Sequence, residues 1–171
     1  MPEIVQKENP VLRQIATDVS AADFGTPELQ KILRDMKAAL DSQEDGAALA
    51  APQIGISKRI FIISEKVFGA DNERHGSKDS HFIFINPKIT KLSKKTRLMD
   101  EGCLSVRGYY GNIFRSTRAS IEAFDENGIR FSRGAGGLLA QVFQHECDHL
   151  DGTLFIDRAE DVWEVEYPPE K

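Results

Sequence analysis

The chain has 171 residues, 40% of them hydrophobic, and a formal net charge of −5. This length fits a single domain over residues 1–171 with one core. The acidic total carries no electrostatic signature of nucleic-acid binding, so we expect no direct nucleic-acid readout. No apolar run is long enough for a bilayer, and the N-terminus lacks a secretory pattern, which predicts a cytoplasmic protein without membrane association. Cys103 and Cys147 are expected to stay unpaired in that reducing compartment.

The first predicted element is a helix that begins after Thr26. Thr26 has the pattern of an N-cap, Pro27 suits the first helical position, and Glu28 is favoured by the helix dipole. Apolar residues then recur at helical spacing and form one stripe. They are Leu29, Ile32, Leu33, Met36, Ala39 and Leu40.

Two pairs of strands are predicted next. RIFIIS and HFIFIN are short β-branched and aromatic runs, separated by FGADNERHGSKDS, which we interpret as a surface loop. Further on, RASIEAF and IRFSR flank DENG. Asn127 and Gly128 both tolerate positive φ, so this pair predicts a hairpin.

A second helix is predicted in GAGGLLAQVFQHECDHLDG, which begins with flexible glycines and places Leu138, Val142, His145 and His149 on one side. His145 and His149 are one turn apart, so both imidazoles can reach one metal ion. Glu146 lies beside that face, where it can hold a water bound to the metal. The pattern predicts metal-assisted hydrolysis.

The third metal ligand is open at this point. Glutamates of the acidic tail FIDRAEDVWEVEYPPEK, namely Glu160, Glu164 and Glu166, would give a zinc metallopeptidase, although the tail itself reads as surface or frayed. Cys103 in EGCLS is the other candidate, because one Cys with two His is an established set that leaves a fourth position open. Cys147 follows His145 by two residues, about 200° around the helix, so it should point into the core.

Three motifs in order, GAALAAPQIG, EGCLS and QHECDHLDG, resemble those of the peptide deformylase family, as does ENPVLRQIA near the N-terminus. The resemblance implies an α+β fold in which mostly antiparallel sheets wrap a central helix carrying the HExxH motif. It also implies removal of the formyl group from the N-terminal formylmethionine of new polypeptides, with release of formate.

The resemblance assigns roles to individual residues. Cys103, His145 and His149 would bind one divalent metal, Fe²⁺ in the family, with Zn²⁺ or Ni²⁺ expected in purified protein. Glu146 would move the proton, while the Gln53 side chain and the Leu104 backbone N–H would stabilise the negative charge on the formyl oxygen. Arg115 and Asp148 would pair. The substrate-binding residues would be Gly46 and Ala48, where small residues let an extended peptide approach, and Leu138, Gln141 and Val142 near the methionine side chain.

Three positions depart from the family pattern. Ala48 replaces a usual glycine, so the backbone would be strained if that position required positive φ. Arg107 replaces a proline and Gln141 an apolar residue, which puts substrate preference in question. If Ala48 closed the site, the chain would be a non-catalytic binder of nascent-chain ends. The expected partners are an N-formylmethionyl peptide and, transiently, the ribosome, and the chain is expected to be a monomer.

Overall fold

The computed structural model describes residues 1–68 and 81–166, so most of the loop FGADNERHGSKDS and the last five residues of the tail lie outside the described part. Helix α1 spans Pro27–Asp41 and helix α2 spans Gly137–Leu150. The strands are β1 Ala48–Ala50, β2 Ile60–Ser64, β3 His81–Leu92, β4 Thr96–Gly102, β5 Tyr109–Ser116, β6 Arg118–Phe124, β7 Arg130–Gly136 and β8 Asp161–Glu164. A five-stranded antiparallel sheet has the order β1-β2-β3-β6-β7, and a three-stranded one has the order β4-β5-β8. The α+β class with antiparallel sheets is confirmed.

Helix α1 begins where the sequence predicts. The Thr26 hydroxyl accepts a hydrogen bond from the Leu29 N–H at 3.3 Å, which satisfies a backbone donor of the first turn. The apolar stripe packs against one face of the five-stranded sheet, where it contacts Ile60 and Ile62 of β2. Its buried residues are Leu29, Leu33, Met36, Ala39 and Leu40.

Helix α2 packs against the opposite face of the same sheet. Phe61 and Ile63 alternate with the β2 residues that face α1, and they join Phe143 and Cys147 of α2 in a second core cluster. Cys147 therefore points away from the two histidines, and both cysteines are free thiols. None of the helices within the described residues combines the length and apolar character that crossing a bilayer requires.

The glycine-rich segment before α2 is a strand and not the flexible helix start that the sequence predicted. Residues 134–136 complete β7, with Gly136 opposite Arg118 and Gly134 opposite Ser120 of β6. Helix α2 starts only at Gly137, whose φ is +53°. Strand pairing with β6 thus outweighs the conformational freedom of glycine.

The hairpin between β6 and β7 is confirmed, but its turn differs from the expected one. Only Gly128 has positive φ, at +77°, and Asn127 does not. The Gly128 N–H donates to the Asp125 carbonyl at 3.0 Å, and the Asp125 N–H donates to the Ile129 carbonyl at 3.0 Å. This is a three-residue loop with glycine in the left-handed position, which replaces the two-residue turn.

The tail is more ordered than the sequence predicted. Phe155 is 2% exposed, and its ring stacks on that of His145 with centroids 6.4 Å apart. Strand β8 then pairs antiparallel with β5, placing Trp163 opposite Tyr110. An acidic composition did not prevent pairing, because a free sheet edge offers backbone hydrogen bonds to any extended segment.

Candidate metal centre and active site

Three side chains converge where β4 ends and α2 carries its histidines. Cys103 directly follows β4, while His145 and His149 are one turn apart on α2. The Cys103 Sγ and His149 Nε2 atoms are 3.2 Å apart, and the ligand atoms of all three residues lie within 4.8 Å of one another. Ligand atoms around one tetrahedral zinc-like ion are about 3.3–3.6 Å apart, so this group fits a divalent metal.

The tail glutamates do not complete the site. Within residues 1–68 and 81–166, the one group with metal-ligand geometry is Cys103, His145 and His149. Glu160, Glu164 and Glu166 are described residues and none belongs to it. The hypothesis of a metallopeptidase with a tail glutamate as ligand is therefore wrong for this fold. The tail instead forms strand β8, which pairs with β5.

Glu101 orients His145. Its Oε1 atom is 2.5 Å from His145 Nδ1, so the Nε2 atom is directed toward Cys103 and Glu146. Arg115 holds both oxygens of Glu101 at 3.0 and 2.5 Å and also donates to Asp148 at 2.7 Å. The Arg115–Asp148 pair that the resemblance implied is present, within a larger buried network.

This network sets the charge around the histidines. Burial alone would raise the pKa of Glu101, but hydrogen bonds from His145 and Arg115 outweigh it and lower that pKa to about 2. Burial opposes positive charge on His145, yet Cys103 and Glu101 raise its pKa well above the ordinary value. The pKa of His149 is lowered by burial and by His145. Negative charge on Glu101 thus favours a cation at His145, whether a proton or a metal.

Glu146 is a buried carboxyl group that faces the cavity beside the ligands. It is 3% exposed, and its Oε2 atom has no hydrogen-bond partner among the described residues. Burial raises the pKa of Glu146 to about 7. A buried carboxyl oxygen without a hydrogen-bond partner is costly for folding, so these contacts do not explain the position of Glu146 by stability.

Gln53 is held with its amide nitrogen toward Cys103. It lies in a 3₁₀ turn, Ala51–Ile54, and is 1% exposed. Its Oε1 atom accepts from the Ala50 N–H at 2.9 Å, which fixes the side chain, and its Nε2 atom donates to Ser105 Oγ at 3.1 Å. Nε2 is 3.6 Å from Cys103 Sγ. The amide is therefore a preorganised donor at the edge of the metal centre.

A cavity of about 360 Å³ opens onto these groups. It brings together most of the predicted site residues: Gln53, Leu104, Ala48, Leu138, Gln141, Val142, Cys103, His145 and Glu146. Gly46 is not among the residues that line it. A Cβ atom at Gly46 would come within 2.8 Å of Leu40 Cδ1, so close packing on α1 gives a structural reason for this glycine.

The three departures from the family pattern have structural explanations. Ala48 lies in β1, and among the described residues the one non-glycine with positive φ is Asn86, so the condition for strain at Ala48 is not met. Arg107 lines the cavity and bonds Asp45 at 3.0 Å. Gln141 donates to the Asp100 carbonyl at 2.9 Å and to Glu101 Oε2 at 3.2 Å. The polar group of Gln141 thus joins the network that supports His145.

Sequence reasoning missed Glu101, although it lies two residues before Cys103 in the same EGCLS motif. A signal was available, since a ligating histidine usually donates its second ring N–H to a carboxylate or carbonyl. It also missed Tyr110, which lines the cavity from β5. No local pattern marks that tyrosine, because its place in the cavity depends on how β4 and β5 pair.

Comparison with known proteins identifies one family over almost the whole chain. Residues 1–164 match the family model described as polypeptide deformylase. A peptide deformylase of Leptospira biflexa is 39% identical over 158 residues, which cover 91% of this chain and 86% of that protein. The chloroplastic peptide deformylase 1A of Solanum lycopersicum is 36% identical, over 92% of this chain but 59% of that longer protein.

A solved structure shares the fold as well. The Met-Ala-Ser-bound class I type b peptide deformylase from Acinetobacter baumannii aligns with a TM-score of 0.81 at 28% identity. The alignment covers 92% of this chain and 98% of that one. With the family model matching almost the full length, this chain belongs to the polypeptide deformylase family.

Proposed function

We propose that this protein is a metal-dependent hydrolase that removes the formyl group from the N-terminal formylmethionine of newly synthesised polypeptides and releases formate. The observation that carries the proposal is the metal-ligand group of Cys103, His145 and His149 beside the unpartnered carboxyl group of Glu146. A related deformylase binds Met-Ala-Ser, a peptide that begins with methionine.

The donor set fits one divalent metal ion. Cys103 as thiolate and the Nε2 atoms of His145 and His149 would hold it, and three protein ligands leave a fourth position open. When bound, the ion supplies Lewis acidity and lowers the pKa of water. We assign Fe²⁺ as the native metal from the family, with Zn²⁺ or Ni²⁺ able to occupy the same donors in purified protein.

Glu146 moves the proton. Its carboxylate accepts a proton from the attacking water as the new C–O bond forms at the formyl carbon. It then delivers that proton to the amide nitrogen as the C–N bond breaks, so that formate and a free methionine amine leave. One carboxyl group serves both halves of the reaction, which fits its position beside His145, with Oε1 4.0 Å from Nε2.

Two donors stabilise the oxygen of the formyl group as it gains negative charge. Gln53 Nε2 is held in place by the bond from Ala50 to the other end of the amide. The Leu104 backbone N–H, adjacent to Cys103, is the second donor. Because these donors are fixed before the reaction, little reorganisation is needed when the charge develops.

The peptide lies between two sheet edges. Strands β1 and β4 are each at the edge of their sheet, and Ala48 of β1 and Gly102 of β4 both line the cavity. An extended peptide can form backbone hydrogen bonds with such edges. The methionine side chain then contacts Leu138 and Val142 of α2, with Gln141 between them.

The chain acts as a single-domain monomer in the cytoplasm and meets its substrate transiently at the ribosome. Helix α2 contacts strands of both sheets, which supports a fold built around the helix that carries the HExxH motif. The match of residues 1–164 to one family model supports a single domain.

The test is formate release from formyl-Met-Ala-Ser by anaerobically purified protein of measured metal content. Glu146→Gln should lower kcat/KM by about 10²–10⁴-fold while metal content stays unchanged, since the amide cannot take the proton. Cys103→Ala should lose the metal. Absence of formate release by metal-loaded wild-type protein would leave only a binder of nascent-chain ends, and retention of activity in Glu146→Gln within tenfold would refute the assigned role.

A further inference from the structure

Positive charge is concentrated at one corner of this acidic protein. The basic corner consists of the exposed residues Lys91, Lys94, Lys95, Arg97 and Arg118. The net charge of −5 does not show this local concentration, because it sums charges over the whole chain. None of the five forms an ion pair with another described residue.

The fold assembles this corner from two crossings between the sheets. Residues 93–95 carry the chain from β3 to β4, and Thr117 joins β5 to β6. Hydrogen bonds fasten the crossings together: Ser93 N–H donates to the Arg118 carbonyl at 3.0 Å, and Thr117 N–H donates to the Lys95 carbonyl at 3.0 Å. Arg118 is thereby fixed beside a run of lysines from which it is far apart in sequence.

A groove of about 540 Å³ lies at the same corner, lined by Lys91 and Arg118 together with Ser93, Ser120 and small residues of β7. No aspartate or glutamate lines the groove, and residues 86–99 and 113–121, which include the two crossings, contain none. A polyanion would therefore meet cations and hydroxyl donors without nearby acidic repulsion. Cations spread along a groove suit the regularly spaced phosphates of a nucleic-acid backbone.

We propose that the basic corner binds the phosphate backbone of structured RNA and holds the enzyme at the ribosome while its cavity receives the nascent chain. This inference rests on the proposed function, because formylated chain ends emerge where ribosomal RNA is the abundant polyanion. Arg97 precedes the cavity-lining Asp100 by three residues on β4, a separation on the order of 10 Å. Binding at the corner needs no recognition of bases, in agreement with the expected lack of nucleic-acid readout.

The test measures binding of a fluorescent RNA duplex of about 20 base pairs, long enough to span several phosphates, and pelleting with purified ribosomes. The variant Lys91→Glu, Lys94→Glu, Arg118→Glu should raise the Kd for the duplex roughly tenfold or more and lower the salt slope by about 2–3. The matched control Lys31→Glu, Arg34→Glu, Lys66→Glu makes the same change in net charge at exposed residues elsewhere and should keep wild-type affinity.

Equal loss of RNA binding in both triple variants would show a net-charge effect and overturn the proposal. So would wild-type affinity in the basic-corner variant, or wild-type binding to phosphatidylglycerol vesicles without binding to the duplex or ribosomes. Formate release from free formyl-Met-Ala-Ser should be the same in all three proteins. Because RNA binding is measured without substrate, its failure is distinguishable from failure of the deformylase assignment.

Discussion

Glu101 is a buried carboxylate that couples a metal ligand to the protein interior. It is 6% exposed, and it contacts His145, Arg115 and Gln141 at once. Arg115 compensates its charge and is itself 3% exposed, so neither group could be buried without the other. At the scale of single residues, this acid therefore links the proposed ligand His145 to a buried ion pair.

Replacing Glu101 with Gln should weaken metal binding by about 10–100-fold, because the neutral amide no longer fixes the His145 ring or increases its basicity. Titration with a competing chelator measures the effect. The matched control is Gln141→Leu, which removes one neutral donor to the same carboxylate and should change metal affinity far less. Equal affinities of wild type and Glu101→Gln would contradict the orienting role.

The backbone conformation of the short strand β1 determines whether alanine is tolerated at position 48, where the family usually has glycine. Ala48 is in extended backbone, pairs with Ile63 and is 9% exposed. Its methyl group both lines the cavity and joins the core cluster under α2. The residue thus stabilises the strand, and the backbone does not demand glycine.

Ala48→Gly should lower the free energy of unfolding by about 0.5–1 kcal/mol, since glycine loses more conformational entropy in a strand. Urea denaturation measures this change, and kcat/KM for formyl-Met-Ala-Ser should stay close to that of wild type. A more stable glycine variant would show that Ala48 is strained after all.

Substitutions in the β6–β7 hairpin test the conformation of its turn in a similar way. Gly128→Ala should cost about 1–2 kcal/mol, because alanine is disfavoured at a φ of +77°. A Cβ atom would also come within 3.2 Å of the Phe24 ring. Asn127→Ala is the control and should change stability by less than about 0.5 kcal/mol, the usual range for surface substitutions. Chemical denaturation of the two variants distinguishes this loop from a two-residue turn, in which both positions would matter.

Across the whole molecule, the metal site joins parts that the core holds separately. Cys103 follows a strand of the three-stranded sheet, whereas His145 and His149 belong to a helix packed on the five-stranded sheet. An ion bound to all three would bridge the two sheets. A ligand that binds the native state and not the unfolded state stabilises a protein by mass action.

Removal of the metal with a chelator should therefore lower the Tm, with a loss of about 4 kcal/mol if metal had been present at 1,000 times its Kd. Differential scanning calorimetry with and without chelator measures the shift. Cys103→Ala, which lacks one ligand, should show little response to the chelator. An unchanged Tm in wild type would contradict binding of the ion to the native state by these three residues.

The sequence predicted much of the fold because many of its signals are local. The cap at Thr26, the apolar stripe of α1 and the paired strands each depend on residues within one element. The predictions were wrong where the structure of a segment depends on pairing with a strand elsewhere in the chain. The glycines of residues 134–136 became strand because β6 was available, and the acidic tail became β8 because β5 had a free edge.

The sequence by itself determined the pairing of His145 and His149, since helical periodicity fixes their common face within one turn. It also determined strand β2, because RIFIIS is a β-branched and aromatic run typical of strands. Only the tertiary structure decided that Cys103 and not a tail glutamate reaches those histidines, that Glu101 supports them, and that Arg118 joins the lysines of residues 91–95. Contacts between segments far apart in the chain follow from how sheets and helices pack, and no local pattern encodes that packing.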